Sequence, residues 1–426
     1  MIVKLKSKRK NILIISAPDV SHAAGVIAYD LHQGLSINHN SQIMVYASKN
    51  RDNNIVSYFT KRKLLIKKVI NKLNRKFHFK IKTDDNYYFF DINQKKNLLK
   101  LNKVKRLINK PDFIIGYFAN SFFSIKDLYD LQVFYKAPVI LFMADMIHIT
   151  GGCHFAWDCE GYKNDCSNCP AIINERNKKY ASENLSFNKK LIYKMDIKLV
   201  ALCSQDFNFA KQSTLFKNKS INMILGGIDL SVFYNRNQEK KLRQKYQIDE
   251  GNFVILFGAT NTIEKRKGVK YFIEAISRLE KEMDMSNISI VSIGRGKLET
   301  LLPNTSVKIH NLGYISDFNQ LSEIYNLASI FVVSSIQDSG PMMINQSIAS
   351  GTPVVCFDIG VALDIVIDGI TGYKVPLYDT SSLSKKIKKM YLKTPKERDV
   401  LTHNCINLAS QNFSKEVVTE KILELM

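Results

Sequence analysis

The chain has 426 residues, of which 45% are hydrophobic and 10% aromatic, and its formal net charge is +22 at pH 7. This length predicts two or three domains, and the apolar content excludes a chain that is disordered throughout. No apolar run reaches the roughly 18–20 residues that a membrane-spanning helix needs. A basic cluster precedes a short apolar run at the N-terminus, but no signal-peptide cleavage site follows it, so we expect a cytoplasmic protein.

The positive charge is concentrated in the first half of the chain. Residues 1–230 contain 37 Lys and Arg against 18 Asp and Glu, a net charge of +19, whereas residues 231–426 contain 24 and 21, a net charge of +3. The segment Lys61–Lys110 alone has 17 basic and 3 acidic residues. Such a surface suits an anionic membrane or nucleic acid, or it is simply a solvated face. We expect a membrane surface as a partner and no nucleic acid.

Strands and helices alternate along this half. The expected strands are Asn11–Ser16, Ile43–Ala47, Pro111–Tyr117, Pro138–Phe142 and Leu199–Cys203, and a helix is expected over Val26–Leu35. The composition of residues 61–109 predicts a basic helix or an extended loop, interrupted by the aromatic run Tyr87-Tyr88-Phe89-Phe90. Alternation at this spacing predicts a parallel, doubly wound sheet of the α/β class.

Aromatic residues surround the basic segment and leave two interpretations open. They could contact lipid headgroups beside the lysines, or they could form the core of the N-terminal domain. The residues in question are Phe77, Phe79, Tyr87, Tyr88, Phe89, Phe90, Phe122 and Phe123.

A second alternating unit follows Gly226-Gly227. Its expected strands are Phe253–Gly258, Ile288–Gly294 and Ile330–Ser334, and its expected helices are Val269–Glu280, one that includes Ser322–Leu327, and the tail Lys415–Met426. We therefore expect an N-terminal domain over 1–225, a C-terminal domain over 226–405, and a segment 406–426 that crosses back to the first domain. Ligands of such folds bind at the carboxyl ends of the strands, so we expect the site in a cleft that the two domains face.

The segment Ser334–Tyr373 combines an acid, a Gly-Pro turn and an amphipathic helix. Asp338 precedes the turn at an expected strand end, and Gln346 lies eight residues further on. A turn that opens a helix directs backbone N–H groups and the positive helix end at one point, which suits an anionic ligand. Arg266 and Lys267 likewise stand at the start of another predicted helix, where they suit a diphosphate.

These motifs resemble glycosyltransferase family 4 in their order and spacing. They are GGIDLSVF at 226–233, the Lys267-Gly268 helix start, HNLGY at 310–314 and the Asp338 segment. The resemblance implies a GT-B fold of two Rossmann-like domains, and retaining transfer of a sugar from a nucleoside diphosphate donor.

The resemblance also implies roles for the matching residues. Lys267 would bind the donor diphosphate, and Asp338 with the backbone after it would meet the donor sugar. Gln346 stands where the family has a ribose-binding glutamate, and Asn261 stands where it has an arginine, so Arg266 would supply that positive charge. The implied donor site comprises Lys267, Arg266, Asp338, Ser339, Gly340, Pro341, Met342, Gln346 and, in the loop after the first strand, Gly25.

The family often places a histidine after a strand of the N-terminal domain, near the reacting sugar. The matching position here is Ala144, followed by Asp145. Asp145 would position the acceptor hydroxyl or accept its proton; otherwise it is a helix cap or a loop residue. The expected catalytic residues are Asp338, Lys267, Arg266 and Asp145.

Four of the seven cysteines lie within TGGCHFAWDCEGYKNDCSNCPAI at 150–172. Cys153, Cys159, Cys166 and Cys169 suit a structural zinc ion, although a redox or iron–sulfur role and simple packing stay open. Disulfides are not expected in the cytoplasm. The segment resembles an insert of a family 4 subgroup that is associated with colanic-acid-type and other surface polysaccharides. Cys203, Cys356 and Cys405 are expected to be ordinary buried residues.

The function expected from the sequence is retaining transfer of a sugar from a UDP- or GDP-sugar to a lipid-linked glycan in surface polysaccharide synthesis. It would take place at the inner face of the cytoplasmic membrane, and no cofactor would be required for catalysis. The departures at Gln346, Asn261 and Ala144 favour the alternative of a non-catalytic subunit that binds nucleotide or glycan.

Overall fold

The computed structural model describes residues 8–20, 23–48, 50, 52–60, 81–90, 94–119, 122–261, 264–303, 305–340 and 342–426. The chain divides into two compact units. The first comprises Met1–Leu202, Asp206–Ile224 and Thr419–Met426, and the second comprises Cys203–Gln205 and Leu225–Val418. The prediction from the sequence was a domain boundary at 225/226 and a segment 406–426 that crosses back to the first domain. In the structure, only the last eight residues, Thr419–Met426, group with the first unit.

In the first unit, the described residues form a parallel sheet of seven strands in the order β3-β2-β1-β4-β5-β6-β7. The strands are β1 Asn11–Ser16, β2 Asn40–Val45, β3 Ile55–Ser57, β4 Phe113–Gly116, β5 Val139–Met143, β6 Ile197–Ala201 and β7 Ser220–Met223. The central strands are continuous apolar runs because helices cover both faces of a parallel sheet. All five residues of β5, for example, are buried.

In the second unit, the described strands form a six-stranded parallel sheet in the order β10-β9-β8-β11-β12-β13. They are β8 Phe253–Asn261, β9 Ile288–Arg295, β10 Lys308–Gly313, β11 Ile330–Val333, β12 Val354–Phe357 and β13 Gly372–Val375. The order reverses direction at β8, whose neighbours are β9 and β11. The carboxyl ends of β8 and β11 therefore lie side by side, which is where a sheet of this type offers a binding crevice.

The helices of the described residues follow the alternation that the sequence predicts. They are α1 Ala23–Ser36, α2 Leu101–Leu107, α3 Ile125–Tyr135, α4 Lys179–Lys194, α5 Ser204–Gln212, α6 Glu239–Tyr246, α7 Val269–Glu282, α8 Phe318–Leu327, α9 Met342–Ala349, α10 Ala362–Ile365, α11 Thr380–Tyr391, α12 Pro395–Asn412 and α13 Lys415–Leu423. None of them is long and apolar enough to cross a membrane. Residues 61–80 of the predicted basic segment, which include Phe77 and Phe79, lie outside the described residues.

Helix α7 illustrates how the apolar spacing fixes the packing. Phe272, Ala275, Ile276 and Leu279 recur at intervals of three, one and three residues, and all four are buried. This spacing places them on one face of a helix. Phe272 stacks on Phe257 of β8 with ring centroids 4.2 Å apart. Burial of side chains of this size contributes about 1.5–3 kcal/mol each, so the face holds the start of α7 firmly against the sheet.

Candidate functional site

Two loops at the carboxyl ends of β8 and β11 carry the predicted donor-binding residues of the second unit. After β8, the 3-10 turn Lys265–Lys267 leads through Gly268 into α7. The predicted strand Ile330–Ser334 corresponds to β11. Asp338 lies in the loop after it, four residues beyond Ser334. The two loops are joined by a hydrogen bond from the Ile336 backbone N–H to the Arg266 carbonyl oxygen, 2.8 Å long.

Asp338 is the centre of a buried ion network. Its Oδ2 accepts from Lys267 Nζ, and Arg266 Nη1 donates to the same oxygen at 3.1 Å. Arg266 also pairs with Glu264. The side chains of Asp338, Lys267 and Arg266 are only 10%, 14% and 18% exposed. Burial raises the pKa of the Asp338 carboxyl, but Lys267 and Arg266 outweigh that effect and hold the pKa below its usual 3.8.

Gly268 has a backbone conformation and a contact that a side chain would disturb. Its φ is +65°, and an added Cβ would lie 1.9 Å from the Ser334 carbonyl oxygen. The Ser334 hydroxyl in turn donates to the Gly268 carbonyl at 2.9 Å. The glycine therefore allows the start of α7 to approach the end of β11 closely.

We predict that Gly268→Ala lowers the free energy of unfolding by about 2 kcal/mol or more. An alanine in the left-handed backbone conformation costs about 1 kcal/mol, and the clash of its Cβ with the Ser334 carbonyl oxygen adds to that cost. Gly251→Ala is the matched control: its φ is +83°, but nothing lies within 4 Å of the added Cβ. Thermal unfolding of both variants checks the prediction. Equal losses for the two glycines would contradict a role for the close approach at Gly268.

Helix α9 follows the Asp338 turn and joins the GGIDLSVF motif to it. The Asn345 amide donates to the Gly226 carbonyl oxygen at 3.1 Å, and an added Cβ at Gly226 would lie 2.8 Å from the Met342 sulfur. Asp338, Ser339 and Gly340 are described, whereas Pro341 lies outside the described residues. The structure thus brings two of the sequence motifs together.

Gln346 occupies a half-buried position on α9. Its Oε1 accepts from the hydroxyl of Tyr325, 3.2 Å away, and Tyr325 itself is fully buried. Asn261 is the last residue of β8. The HNLGY motif lies on and just after β10, at the edge of the sheet and two strands from β8. It is therefore the predicted motif that the sheet order places furthest from the Asp338 network.

Asp145 lies at the carboxyl end of β5 in the first unit, where its two carboxylate oxygens contact different partners. Its Oδ1 caps the 3-10 turn Met146–His148 by accepting from the Ile147 N–H at 2.8 Å. Its Oδ2 lies 2.6 Å from Nδ1 of His154. Both side chains are buried, at 6% and 7% exposure. Burial raises the pKa of Asp145, but His154 and the Ile147 N–H lower it below the usual value.

His154 is the functional candidate that the sequence reasoning did not assign. Its Nε2 is buried and has no hydrogen-bond partner in the structure. The sequence has Ala144 at the position that matches the family histidine, whereas the histidine that contacts Asp145 comes from the cysteine-rich segment, nine residues after Asp145. The signal is present in the TGGCH run, where His154 directly follows Cys153.

Gly25 lies near the start of α1, where the preceding loop folds back onto the helix. A Cβ at this position would lie 2.0 Å from the Asp19 carbonyl oxygen. The close approach explains the glycine structurally. Its expected role in binding a phosphate or an acceptor stays a prediction.

The aromatic residues divide between the two interpretations. Phe122 and Phe123 are buried core residues, and Tyr87 and Phe89 pack partly buried against the same core. Tyr88 is 48% exposed. For the described residues, the core interpretation therefore accounts for most of the set.

All seven cysteines are free thiols, and Cys203, Cys356 and Cys405 are buried as expected. The four cysteines of the insert line one cavity together with parts of the 87–89 and 150–152 segments. Within the described part of the chain, no group of three or more His, Cys, Asp or Glu side chains is arranged so that it could hold a metal ion.

Part of the second unit is similar to a known protein family. Residues 238–407 match the family described as Glycosyl transferases group 1, and this stretch includes Lys267, Asp338 and Gln346. The matched stretch lies within the second unit and covers less than half of the chain.

Curated relatives are distant in sequence. The capsular polysaccharide biosynthesis glycosyltransferase CapM of Staphylococcus aureus is 22% identical over 251 residues, which cover 55% of this chain and 64% of that protein. The UDP-Gal:alpha-D-GlcNAc-diphosphoundecaprenol alpha-1,3-galactosyltransferase of Escherichia coli is 22% identical over 252 residues, covering 55% and 63%. The matches thus span less than two thirds of the length of these relatives.

Solved structures resemble the chain over almost its full length. Sucrose-phosphate synthase from Thermosynechococcus elongatus has a TM-score of 0.67 at 15% identity and covers 98% of each chain. HepE from Anabaena, solved with UDP and glucose, has a TM-score of 0.63 at 13% identity and covers 98% of this chain and 99% of its own. The predicted fold class, two Rossmann-like α/β units of the GT-B type, is confirmed.

Proposed function

We propose that this protein is a retaining glycosyltransferase that moves a sugar from a nucleoside diphosphate donor to a glycan acceptor. The observation that carries the proposal is the Lys267–Arg266–Asp338 network, placed where β8 and β11 end and included in the region that matches the group 1 glycosyltransferases. Two positively charged side chains in a crevice at the ends of strands can bind a diphosphate through charge-assisted hydrogen bonds.

The donor half of the reaction needs positive charge at the leaving group. When the glycosidic bond to the nucleoside diphosphate breaks, negative charge builds up on the phosphate oxygens. Lys267 and Arg266 are already held in place by Asp338, so they stabilise that charge without first being immobilised. The Asp338 carboxylate and the backbone of Ser339 and Gly340 would then contact the donor sugar.

The acceptor half of the reaction would use the Asp145–His154 pair. Asp145 contacts the imidazole at Nδ1, and Nε2 is buried without a hydrogen-bond partner in the structure. Nε2 would be the atom that hydrogen-bonds an acceptor hydroxyl once it becomes accessible. Sequence reasoning assigned this role to Asp145 alone. The contact extends the proposal to His154.

The proposed acceptor is a lipid-linked glycan of a surface polysaccharide such as a capsule or an O-antigen, reached from the cytoplasmic face of the membrane. The net charge of +19 in residues 1–230 supports attraction to an anionic bilayer. The names of the relatives in Staphylococcus aureus and Escherichia coli support this acceptor class, and the latter name supports a UDP-sugar donor. The cysteine-rich segment supports assignment to the surface-polysaccharide subgroup of family 4.

The alternative is a non-catalytic subunit that binds nucleotide or glycan. Gln346, Asn261 and Ala144 favour it, because each lacks the charged or imidazole group that the family resemblance implies at that position.

A screen of the purified protein against UDP-, GDP-, ADP- and CMP-sugars separates the two. We expect one nucleotide to raise the melting temperature and its sugar to be hydrolysed slowly, or transferred when membrane extract is added. Stabilisation without turnover would establish the binding subunit instead. No response to any nucleotide would contradict both proposals for the Lys267 site.

We predict that Gln346→Glu tightens binding of the stabilising nucleotide by about 1 kcal/mol, a factor of about five. The reason is that a carboxylate accepts ribose hydroxyls with charge assistance that an amide lacks. Isothermal calorimetry with the nucleoside diphosphate measures the change. Gln411→Glu, at an exposed position on α12, is the control for the added negative charge. Weaker binding by Gln346→Glu would place the ribose elsewhere.

A further inference from the structure

The cysteine-rich segment folds so that four sulfur-bearing side chains surround one small cavity. Its volume is about 10 Å³, enough for about one water-sized sphere, and the lining beside Cys153, Cys159, Cys166 and Cys169 is mainly backbone, alanine and aromatic rings. Three of the four cysteines are buried and the fourth, Cys159, is half-buried. Cysteines that are up to sixteen residues apart along the chain thus line the same cavity.

Gly161 lies beside two of the sulfur atoms. Its N–H donates to Cys159 Sγ at 3.4 Å. A Cβ added at Gly161 would lie 3.4 Å from Cys159 Sγ and 3.5 Å from Cys166 Sγ.

Other uses of these cysteines fit the cavity less well. All four are free thiols, so no disulfide links them. An iron–sulfur cluster contains several iron and sulfide atoms and requires a larger space than about 10 Å³. Packing alone does not explain why four cysteines line the same small cavity. A single ion that prefers thiolate ligands fits both the donor set and the volume.

We propose that Cys153, Cys159, Cys166 and Cys169 bind one structural zinc ion. The cysteines line one cavity but are not arranged to hold an ion as the structure stands, so binding would require the cysteine side chains to rotate toward the cavity centre. The ion would bind all four sulfur atoms and so cross-link residues 153–169.

The site would also hold the segment that presents His154. Cys153 pairs with Phe89 as a β-bridge, and the Phe90 N–H donates to the Gly152 carbonyl oxygen at 2.8 Å. The His154 N–H donates to the Tyr87 carbonyl oxygen at 3.1 Å. A metal-bound Cys153 would therefore stabilise the backbone on which His154 meets Asp145.

The test is the zinc content of the full chain, purified from cells supplied with zinc and measured by plasma mass spectrometry. We expect about one zinc per chain, with the double variant Cys166→Ser/Cys169→Ser falling to near zero and melting at a lower temperature. Cys405→Ser is the matched control: it removes a buried thiol of the second unit, so we expect a lower melting temperature with the zinc content unchanged.

A second pair of variants keeps the test decisive if the double variant does not fold. Cys159 is the most accessible of the four, and we expect Cys159→His to keep zinc while Cys159→Ser loses most of it, because imidazole is also a zinc ligand. Zinc-free wild-type protein, or zinc retained by the cysteine-to-serine variants, would overturn the proposal. Iron with visible absorption would assign the site to a cluster instead. None of these measurements depends on a nucleotide sugar, so they can fail independently of the proposed transfer reaction.

Discussion

Replacing Lys267 by alanine is expected to weaken binding of the stabilising nucleoside diphosphate by about 1.5–3 kcal/mol, which is roughly a 10- to 150-fold loss of affinity. The ammonium group is only 14% exposed, so water does not replace the lost interaction with the phosphate oxygens. Arg266 remains beside the site and limits the loss to that of one charged hydrogen bond. Isothermal calorimetry with the free nucleotide measures the change, and turnover of the sugar nucleotide should fall at least in proportion.

The control for this variant is Lys270→Ala. Lys270 lies on the first turn of α7, is exposed, and contacts the ring of Tyr271 at 4.7 Å. The Lys270→Ala substitution removes the same charge three residues away from Lys267, at a position that does not contact Asp338. Equal affinity losses for Lys267→Ala and Lys270→Ala would indicate a general effect of charge, and unchanged affinity in Lys267→Ala would remove Lys267 from the site.

The second large effect is expected for Asp338→Asn, which removes the carboxylate shared by two buried cations. Breaking a buried ion pair on one side leaves the other charge without compensation, at a cost of about 3–5 kcal/mol. For a unit of this size we expect the melting temperature of the second unit to fall by roughly 6–20 °C. Asp358→Asn is the control, because Asp358 directly follows β12 but is exposed.

The pH dependence of this loss follows from the sign of the pKa shift. The pKa of Asp338 in the folded protein lies below the value of 3.8, so the carboxylate stabilises the fold above that pH, and the contribution disappears as the pH falls through the lower folded value. The difference in the free energy of unfolding between wild type and Asp338→Asn should therefore be constant from pH 5 to neutral pH. It should shrink below about pH 3.8. A difference that grows on acidification would contradict the ion network.

Long apolar strands could be predicted from the sequence, and polar edge strands could not. β1 and β5 are runs of buried aliphatic residues, and the structure places them where the sequence did. β7 has the sequence SINM, with no residue fully buried, and β10 is mostly polar. Edge strands form because a neighbouring strand offers hydrogen bonds, and that information does not lie in their own residues.

The candidate site was predictable to the extent that its residues lie in local motifs. Lys267 and Asp338 each stand at a strand-to-helix turn, and such turns are visible in sequence. Their mutual ion pair joins residues 71 positions apart, and only the neighbouring positions of β8 and β11 in the sheet bring them together. The contact of His154 with Asp145 escaped prediction for a similar reason, because it depends on how the cysteine-rich segment folds back.

The shared position of Lys267 and Arg266 on one Asp338 oxygen has a consequence for which anions the protein can bind. In the free protein, a covalently attached carboxylate already occupies the place of a counter-ion, so any incoming anion must compete with it. Chloride carries no more charge than the carboxylate with which it would compete for Lys267 and Arg266. A nucleoside diphosphate brings two linked phosphates, and in the proposed function its ribose hydroxyls would bind to α9. Asp338 would thus act as a tethered competitor that disfavours binding of small monovalent anions such as chloride.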